Sequence, residues 1–144
     1  MDCIVRALRP DDIDRIAAID RKITGRSRTE WYRNRVARAE GVQLSLCAEQ
    51  DGLVVGAMLA TVQYGEFGVP EPMAILDTVV VDPSLAGQGV GRAMLEQLLG
   101  NLRGLRVDRV RTEVNWDERD LMAFLQRSGF APAPRMVLEL SLED

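Results

Sequence analysis

Two spacings of apolar residues alternate along the chain and predict an order of strands and helices. Period-two alternation rich in Val and Ile is typical of strands, and apolar residues three or four positions apart are typical of helices. Strands are predicted at residues 3–8, 44–49, 53–64, 74–81, 109–114 and 136–142, and helices at residues 10–23, 29–39, 90–102 and 120–127. This order, β-α-α-β-β-β-α-β-α-β, predicts a mixed α/β domain.

Turn-forming residues separate these elements. Asp51-Gly52 predicts a tight hairpin between the second and third strands, and Gly56 within the third strand predicts a bulge or a bend. Residues 65–72 contain two Gly and two Pro and predict a loop, while Gly129 predicts the C-terminal cap of the last helix. No repeat or linker divides the sequence, so we predict a single domain over residues 1–144.

Composition and charge restrict the classes of partner. The chain is 47% apolar and 28% charged, which is typical of soluble globular proteins, and no run of about 18 apolar residues predicts a membrane span. Residues 1–10 lack the apolar centre of a signal peptide, so a cytoplasmic location is expected. The net charge of −4 argues against nucleic-acid binding, which depends on neutralising phosphates with clustered cations.

The chain contains no histidine, and this restricts the chemistry further. Ser-His and Cys-His nucleophile systems are excluded, as is the commonest metal ligand. Cys3 and Cys47 have no metal-ligand spacing, so no metal site is predicted. Acid-base catalysis must therefore use carboxylates, tyrosine, a thiol or water.

A glycine-rich turn follows the strand predicted at residues 74–81. Gly87, Gly89 and Gly91 lie where a helix is predicted to begin at Val90. Glycines and the free N–H groups of a helix start together favour binding of a phosphate. The segment lacks the Gly-Lys-Ser/Thr of a Walker loop, and Arg92 replaces the third glycine of a dinucleotide-binding fingerprint. An ordinary glycine-rich turn is the alternative at this point.

Longer motifs give this turn a family resemblance. Val-Val-Val-Asp-Pro at residues 79–83 and Gly-Gln-Gly-Val-Gly-Arg-Ala-Met-Leu at residues 87–95 resemble motif A of the GNAT acetyltransferases. Arg-Thr-Glu-Val at residues 111–114 and the segment 124–130, which ends in Gly-Phe, resemble motif B. The order of the upstream elements is similar as well. The resemblance implies a mainly antiparallel central sheet with splayed strands, flanked by helices, and an N-acetyltransferase that uses acetyl-CoA as cosubstrate.

The resemblance also implies roles for particular residues. The backbone amides of the turn are expected to bind the CoA pyrophosphate, and the strand before it is expected to pair with pantetheine through exposed backbone. One amide, that of Val79 or Val81, would polarise the thioester carbonyl. The residues expected to bind the cofactor are Val79, Val80, Val81, Gly87, Gln88, Gly89, Val90, Gly91 and Arg92.

Three positions depart from the family pattern. Ala86 lies where the family usually has Arg or Gln, Glu118 where many members have Asn, and Leu125 where many have the Tyr that protonates the leaving thiolate. Water is then the expected proton donor, with Tyr64 as a further candidate. The departures leave open a second function, a catalytically weak acyl-CoA sensor or interaction module.

Asp77 is the first candidate for the base that deprotonates the acceptor amine. It interrupts an apolar strand, where a carboxylate is costly unless it has a role or a partner. Strict alternation would place Asp77 on the same face as Val79 and Val81. A salt bridge or a strand-end position facing solvent is the alternative for Asp77. Glu113 is the second candidate, and an exposed strand position without a catalytic role is its alternative.

The resemblance also implies where the acceptor is selected, namely between the first two helices, at residues 22–30, and at the loop 64–72. Residues 22–30 are locally basic. The two alternatives for this segment are binding of an acidic group of the substrate and a loop exposed to solvent. The expected partner is an amine of a protein, a peptide or a small molecule, and homodimer formation is left open.

Overall fold

The computed structural model describes residues 3–38 and 42–143, with the side chain of Val42 left out. Five strands and four helices form in the predicted order as far as the fourth helix. The strands are β1 (Ile4–Ala7), β2 (Val42–Gln50), β3 (Leu53–Gln63), β4 (Met73–Val81) and β5 (Val110–Thr112). The helices are α1 (Ile13–Thr24), α2 (Thr29–Ala37), α3 (Val90–Gly104) and α4 (Arg119–Arg127).

The strands form one sheet in the order β1-β2-β3-β4-β5. The first four strands pair antiparallel, and β5 pairs parallel to β4. Asp51 and Gly52 both have positive φ in the two-residue turn between β2 and β3, which confirms the predicted hairpin. The mixed, mainly antiparallel sheet flanked by helices is the fold that the sequence predicted.

Helices α1 and α2 cover one face of the sheet, and α3 covers the other. Ala57 and Leu59 of β3 pack in one apolar cluster with Ile16 and Ile19 of α1, and Tyr32 of α2 belongs to the same cluster. On the other face, α3 approaches so closely that a Cβ on Gly56 would lie 3.0 Å from Met94 Cε. A register shift between Ala48 and Glu49 lies beside Gly56, which confirms the predicted irregularity.

A β-bulge at Asp77 divides β4 into two parts. Leu76 pairs with Ala60 and Thr78 pairs with Leu59, so Asp77 has no residue opposite it on β3. One extra residue shifts the alternation of side chains beyond it. Paired residues share a face, so Val79 and Val81, opposite Met58 and Gly56, lie on the α3 face.

The alternation predicted through Asp77 is therefore wrong. Arg35 of α2 binds both Asp77 and Thr61, so the Asp77 side chain lies on the α2 face, opposite to Val79 and Val81.

The strand predicted at residues 136–142 is also wrong. The described residues after α4 contain no helix or strand. An alternating sequence becomes a strand only when a partner supplies the ladder of hydrogen bonds, and none of the described strands pairs with this segment. Its apolar side chains are exposed: Met136, Val137, Leu138, Leu140 and Leu142.

The described chain divides into two compact units, with the boundary between Glu113 and Val114. The second unit contains α4, on which Leu125 is buried. The prediction of a single domain stays a prediction. The predicted end of the second helix at Ala39 lies outside the described residues, and α2 ends at Ala37. Among the described helices, none is long and apolar enough to cross a membrane.

Candidate active site

Strands β4 and β5 separate after three paired residues. Ala74, Leu76 and the residue between them pair with Val110–Thr112, and the pairing ends there. Beyond the bulge, β4 continues to Val81 with no strand beside this edge in the part of the sheet that the structure describes. The result is a free strand edge, and the space beside it is here called the cleft.

Backbone directions along this edge follow from one hydrogen bond. The amide of Asp82 donates to Val55 O of β3 at 2.8 Å. Because backbone groups alternate in direction along a strand, Val80 also faces β3, and Val79 and Val81 face the cleft. Of the three valines expected to bind the cofactor, Val79 and Val81 thus present their amides to the cleft, while Val80 is buried and directed at its neighbour.

The glycine-rich turn leads from β4 into α3 in a backbone conformation that favours glycine. Gly87 and Gly89 have φ values of +77° and +88°, and Gly89 is the N-cap of the helix. Nothing lies within 4 Å of a Cβ built at either position, so conformation and not space selects glycine here.

Several amides of this turn are free to bind a ligand. Ala93 is the first residue of α3 whose amide donates to the helix backbone, at 3.0 Å to Gly89 O, and no side chain caps the helix. The amides of Val90, Gly91 and Arg92 therefore point out of the helix start without backbone acceptors. The amide of Gln88 already donates to Leu85 O at 3.2 Å, and its contact with the cofactor stays a prediction.

Asp82 fixes the turn to the rest of the protein. Its carboxylate accepts from the amide and hydroxyl of Ser84, at 3.1 and 2.9 Å, and lies 3.4 Å from Arg15 and 3.7 Å from Lys22 of α1. The Ser84 hydrogen bonds, aided by the two cations, hold the pKa of Asp82 below its ordinary value of 3.8. Asp82 was not among the predicted site residues.

Asp77 binds a buried arginine. Arg35, which is 2% exposed, donates to both carboxylate oxygens of Asp77 at 2.9 and 3.2 Å. The same guanidinium donates to Thr61 Oγ1 and Gln43 Oε1, and Thr78 Oγ1 lies 3.2 Å from Asp77. The Asp77 side chain keeps 38% of its surface exposed, so the carboxylate is held on one side and open on the other.

The sequence contained a signal for Arg35 that its interpretation missed. A charged residue on the inward side of a short helix is rarely buried without a partner. Arg35 lies three residues after Tyr32, which is itself buried. That spacing places both on one side of α2 and indicates that Arg35 is a buried charge, but it does not identify Asp77 as the partner.

The remaining predicted residues lie at the surface. Glu113 is exposed and directly follows β5. Arg92 forms a 3.3 Å ion pair with Glu96 one turn along α3, and both side chains are largely exposed. No three Cys, Asp or Glu side chains among the described residues are placed to share a metal ion.

The basic segment at residues 22–30 is largely neutralised. Arg28 donates to both oxygens of Asp20, at 2.8 and 2.7 Å, and its guanidinium lies over the Trp31 ring at 5.1 Å. Lys22 lies near Asp82. The expected acidic-substrate site in this segment therefore has less free charge than its sequence indicates.

Comparisons with known proteins agree with this geometry. A family model described as "Acetyltransferase (GNAT) family" matches residues 11–130. The amino-acid acetyltransferase of Mycobacterium tuberculosis (strain ATCC 25618 / H37Rv) is 32% identical over 114 residues, which cover 76% of this chain and 61% of that protein. The chain thus spans about three fifths of the length of that relative.

Solved structures with low sequence identity share the fold. Ribosomal-protein-alanine N-acetyltransferase from Brucella melitensis biovar Abortus 2308 has a TM-score of 0.81 at 14% identity, over 98% of this chain and 100% of that chain. An aminoglycoside N-acetyltransferase in complex with CoA has a TM-score of 0.80 at 14% identity, over 98% and 95% of the two chains.

Proposed function

This chain belongs to the acetyltransferase (GNAT) family, and on that premise we propose that it transfers the acetyl group of acetyl-CoA directly to a primary amine. The observation that carries the proposal is the continuity of two binding elements. The free edge of β4 at Val79 and Val81 leads into the free amides at the start of α3. In a CoA thioester, the thioester end would bind along the strand edge, and the pyrophosphate would bind at the helix start that follows it.

The cofactor role rests on backbone groups. The amides of Val90, Gly91 and Arg92, together with the positive end of α3, suit a pyrophosphate. Val79 and Val81 suit the extended pantetheine, and one of their amides donates to the thioester oxygen as negative charge develops there. Acetyl-CoA is the cosubstrate that supplies the acetyl group.

The acceptor amine is proposed to bind on the α2 face of the sheet. Asp77 lies on the α2 face at the bulge, two residues before Val79, where the cleft begins. We assign Asp77 as the group that takes the proton from the acceptor ammonium, directly or through water. The neutral amine then attacks the thioester carbonyl carbon and forms a tetrahedral intermediate, whose nitrogen loses its extra proton to water. The C–S bond breaks, the amide is released, and the leaving thiolate takes a proton from water.

The acceptor is a primary amine of a protein, a peptide or a small molecule. The relative from Mycobacterium tuberculosis is named for amino acids, and its identity of 32% supports a small acceptor. The buried Leu125 offers no acid in place of the usual tyrosine, so the proposed reaction proceeds without a side-chain acid.

The proposal is tested with a panel of amines and acetyl-CoA, read by release of free thiol. Reactions without acceptor correct for Cys3 and Cys47, which are free thiols of the protein. Amine-dependent thiol release, together with a melting temperature that rises with acetyl-CoA, supports the enzyme. Stabilisation without thiol release on any amine would instead support the acyl-CoA sensor.

A further inference from the structure

Arg111 of β5 is a half-buried arginine whose charge is not compensated by any carboxylate in residues 3–38 or 42–143. Its guanidinium carbon lies 5.5 Å from the centre of the Phe67 ring, in the loop between β3 and β4. Across the described residues, no carboxylate lies within ion-pair distance of Arg111, and its side chain donates no hydrogen bond to the protein. An aromatic face attracts a guanidinium but leaves its N–H groups free.

The other arginines of similar burial differ in this respect. Every other buried or half-buried arginine of the described chain forms an ion pair with an aspartate. These pairs are Arg6 with Asp12, Arg15 with Asp82, Arg28 with Asp20 and Arg35 with Asp77. Partial burial weakens the hydration of a guanidinium, and an ion pair with an anion is therefore favoured. Arg111 therefore lacks a partner that its environment favours.

Arg111 lies on the face of the sheet that is assigned to the acceptor. Arg111 is the β5 partner of Ile75, and Ile75 is opposite Thr61 on β3. Side chains of paired residues share a face, so Arg111 lies on the face where Arg35 binds Thr61 and Asp77. The free guanidinium is thus placed where β4 and β5 separate, on the side assigned to the acceptor.

We propose that Arg111 binds a carboxylate of the acceptor, and that the substrate is an amine carrying a carboxylate, such as an α-amino acid. This inference rests on the proposed acetyl transfer. Asp77 takes the proton of the ammonium group, while the guanidinium of Arg111 donates two parallel N–H hydrogen bonds to the carboxylate oxygens. Phe67, which is 80% exposed with φ of +52°, positions the guanidinium.

The test compares each standard α-amino acid with its carboxamide, at equal concentrations of the free amine. We expect a higher kcat/KM for the acid, and Arg111→Gln should lower kcat/KM for the acid by about 10- to 100-fold, mainly through KM, as expected for a lost charged hydrogen bond. Activity on the carboxamide and affinity for acetyl-CoA should change less than about threefold. Arg111→Lys, which keeps the charge without the fork, should lie between the two.

Arg109→Gln is the matched control, because Arg109 is an exposed arginine two residues away on the same segment. It should leave the preference for the acid unchanged. The inference is overturned if wild type acetylates acids and carboxamides equally, if Arg111→Gln keeps the preference while melting normally, or if only amines without a carboxylate react. Absence of acetylation of every amine would instead overturn the proposed function.

Discussion

Arg35 on α2 donates two hydrogen bonds to the carboxylate of Asp77, and this pair joins the second helix to the bulge of the fourth strand. The guanidinium is buried, while the carboxylate is partly open to solvent. Asp77 is therefore the counter-ion of a buried charge as well as the proposed base. A change at Asp77 acts on stability and on activity, and experiments must separate the two effects.

Asp77→Asn is expected to lower kcat/KM by about 10²- to 10⁴-fold, the usual range for a positioned acid-base group. Acetyl-CoA affinity should change little, because the proposed cofactor contacts are backbone groups elsewhere. The remaining activity should rise toward the amine pKa of about 10, since only amine that is already neutral reacts. Steady-state kinetics over a range of pH measure both effects.

The stability effect has its own control. Asp77→Asn leaves Arg35 without its counter-ion and should lower the free energy of unfolding by about 1–3 kcal/mol, less than for a fully buried pair. The double variant Arg35→Gln, Asp77→Asn removes both charges, so it should recover stability but not activity. Glu113→Gln should be much milder than Asp77→Asn. Full activity in Asp77→Asn would transfer the role to Glu113 or to bulk water.

Gly89→Glu is expected to abolish the stabilisation by acetyl-CoA. A side chain at φ of +88° is strained, and the added carboxylate would repel a pyrophosphate at the start of α3. Gly100→Ala is the control in the same helix, where alanine should raise stability by about 0.5–1 kcal/mol and leave binding intact. Thermal shift with increasing acetyl-CoA measures both, and wild-type affinity in a folded Gly89→Glu protein would contradict the assignment.

Amide exchange should alternate along the last part of β4. The amide of Val80 faces β3 and should exchange slowly, while those of Val79 and Val81 face the cleft and should exchange faster. Acetyl-CoA should slow exchange at Val79 and Val81 specifically. Hydrogen exchange followed by NMR resolves these neighbours, and equal protection of all three amides without ligand would rule out a free edge.

Stability should fall in acid partly through Asp82. Its pKa is lowered in the folded protein, so its contribution is present above pH 3.8 and is lost as the pH falls through the folded value. Asp82→Asn should lower the free energy of unfolding at pH 7 by about 1–3 kcal/mol. The difference from wild type should shrink below about pH 4, and urea unfolding between pH 3 and 7 measures it. A difference that stays constant down to pH 3 would show that charge is not the cause.

Sequence patterns predicted most of the fold because turns and helices are formed by interactions between residues that are close in sequence. The Asp-Gly turn of the hairpin and the spacing of isoleucines in α1 depend on residues close in sequence. The segment at residues 136–142 has equally clear alternation but forms no strand. Strand formation depends on a partner elsewhere in the chain, and periodicity contains no information about that partner.

The candidate site also has a part that the sequence predicted and a part that it did not. Glycines at residues 87–91 predicted the turn, because the backbone conformation there selects the residue type. The partners of Asp77 were not predicted, because Arg35 is 42 positions away and only the folded sheet brings them together. The contact between Arg111 and Phe67 was not predicted either, because these residues are also far apart in the sequence.

The bulge at Asp77 separates the chemistry of position 77 from the pairing of β4. Leu76 and Thr78 lie opposite Ala60 and Leu59, which are consecutive in β3, so Asp77 is one residue more than the pairing needs. Removing Asp77 would join the two parts of β4 in regular register and leave Val79 and Val81 on their present face. The strand therefore carries its carboxylate on an inserted residue, and position 77 can change or disappear without altering the free edge that is proposed to bind the thioester.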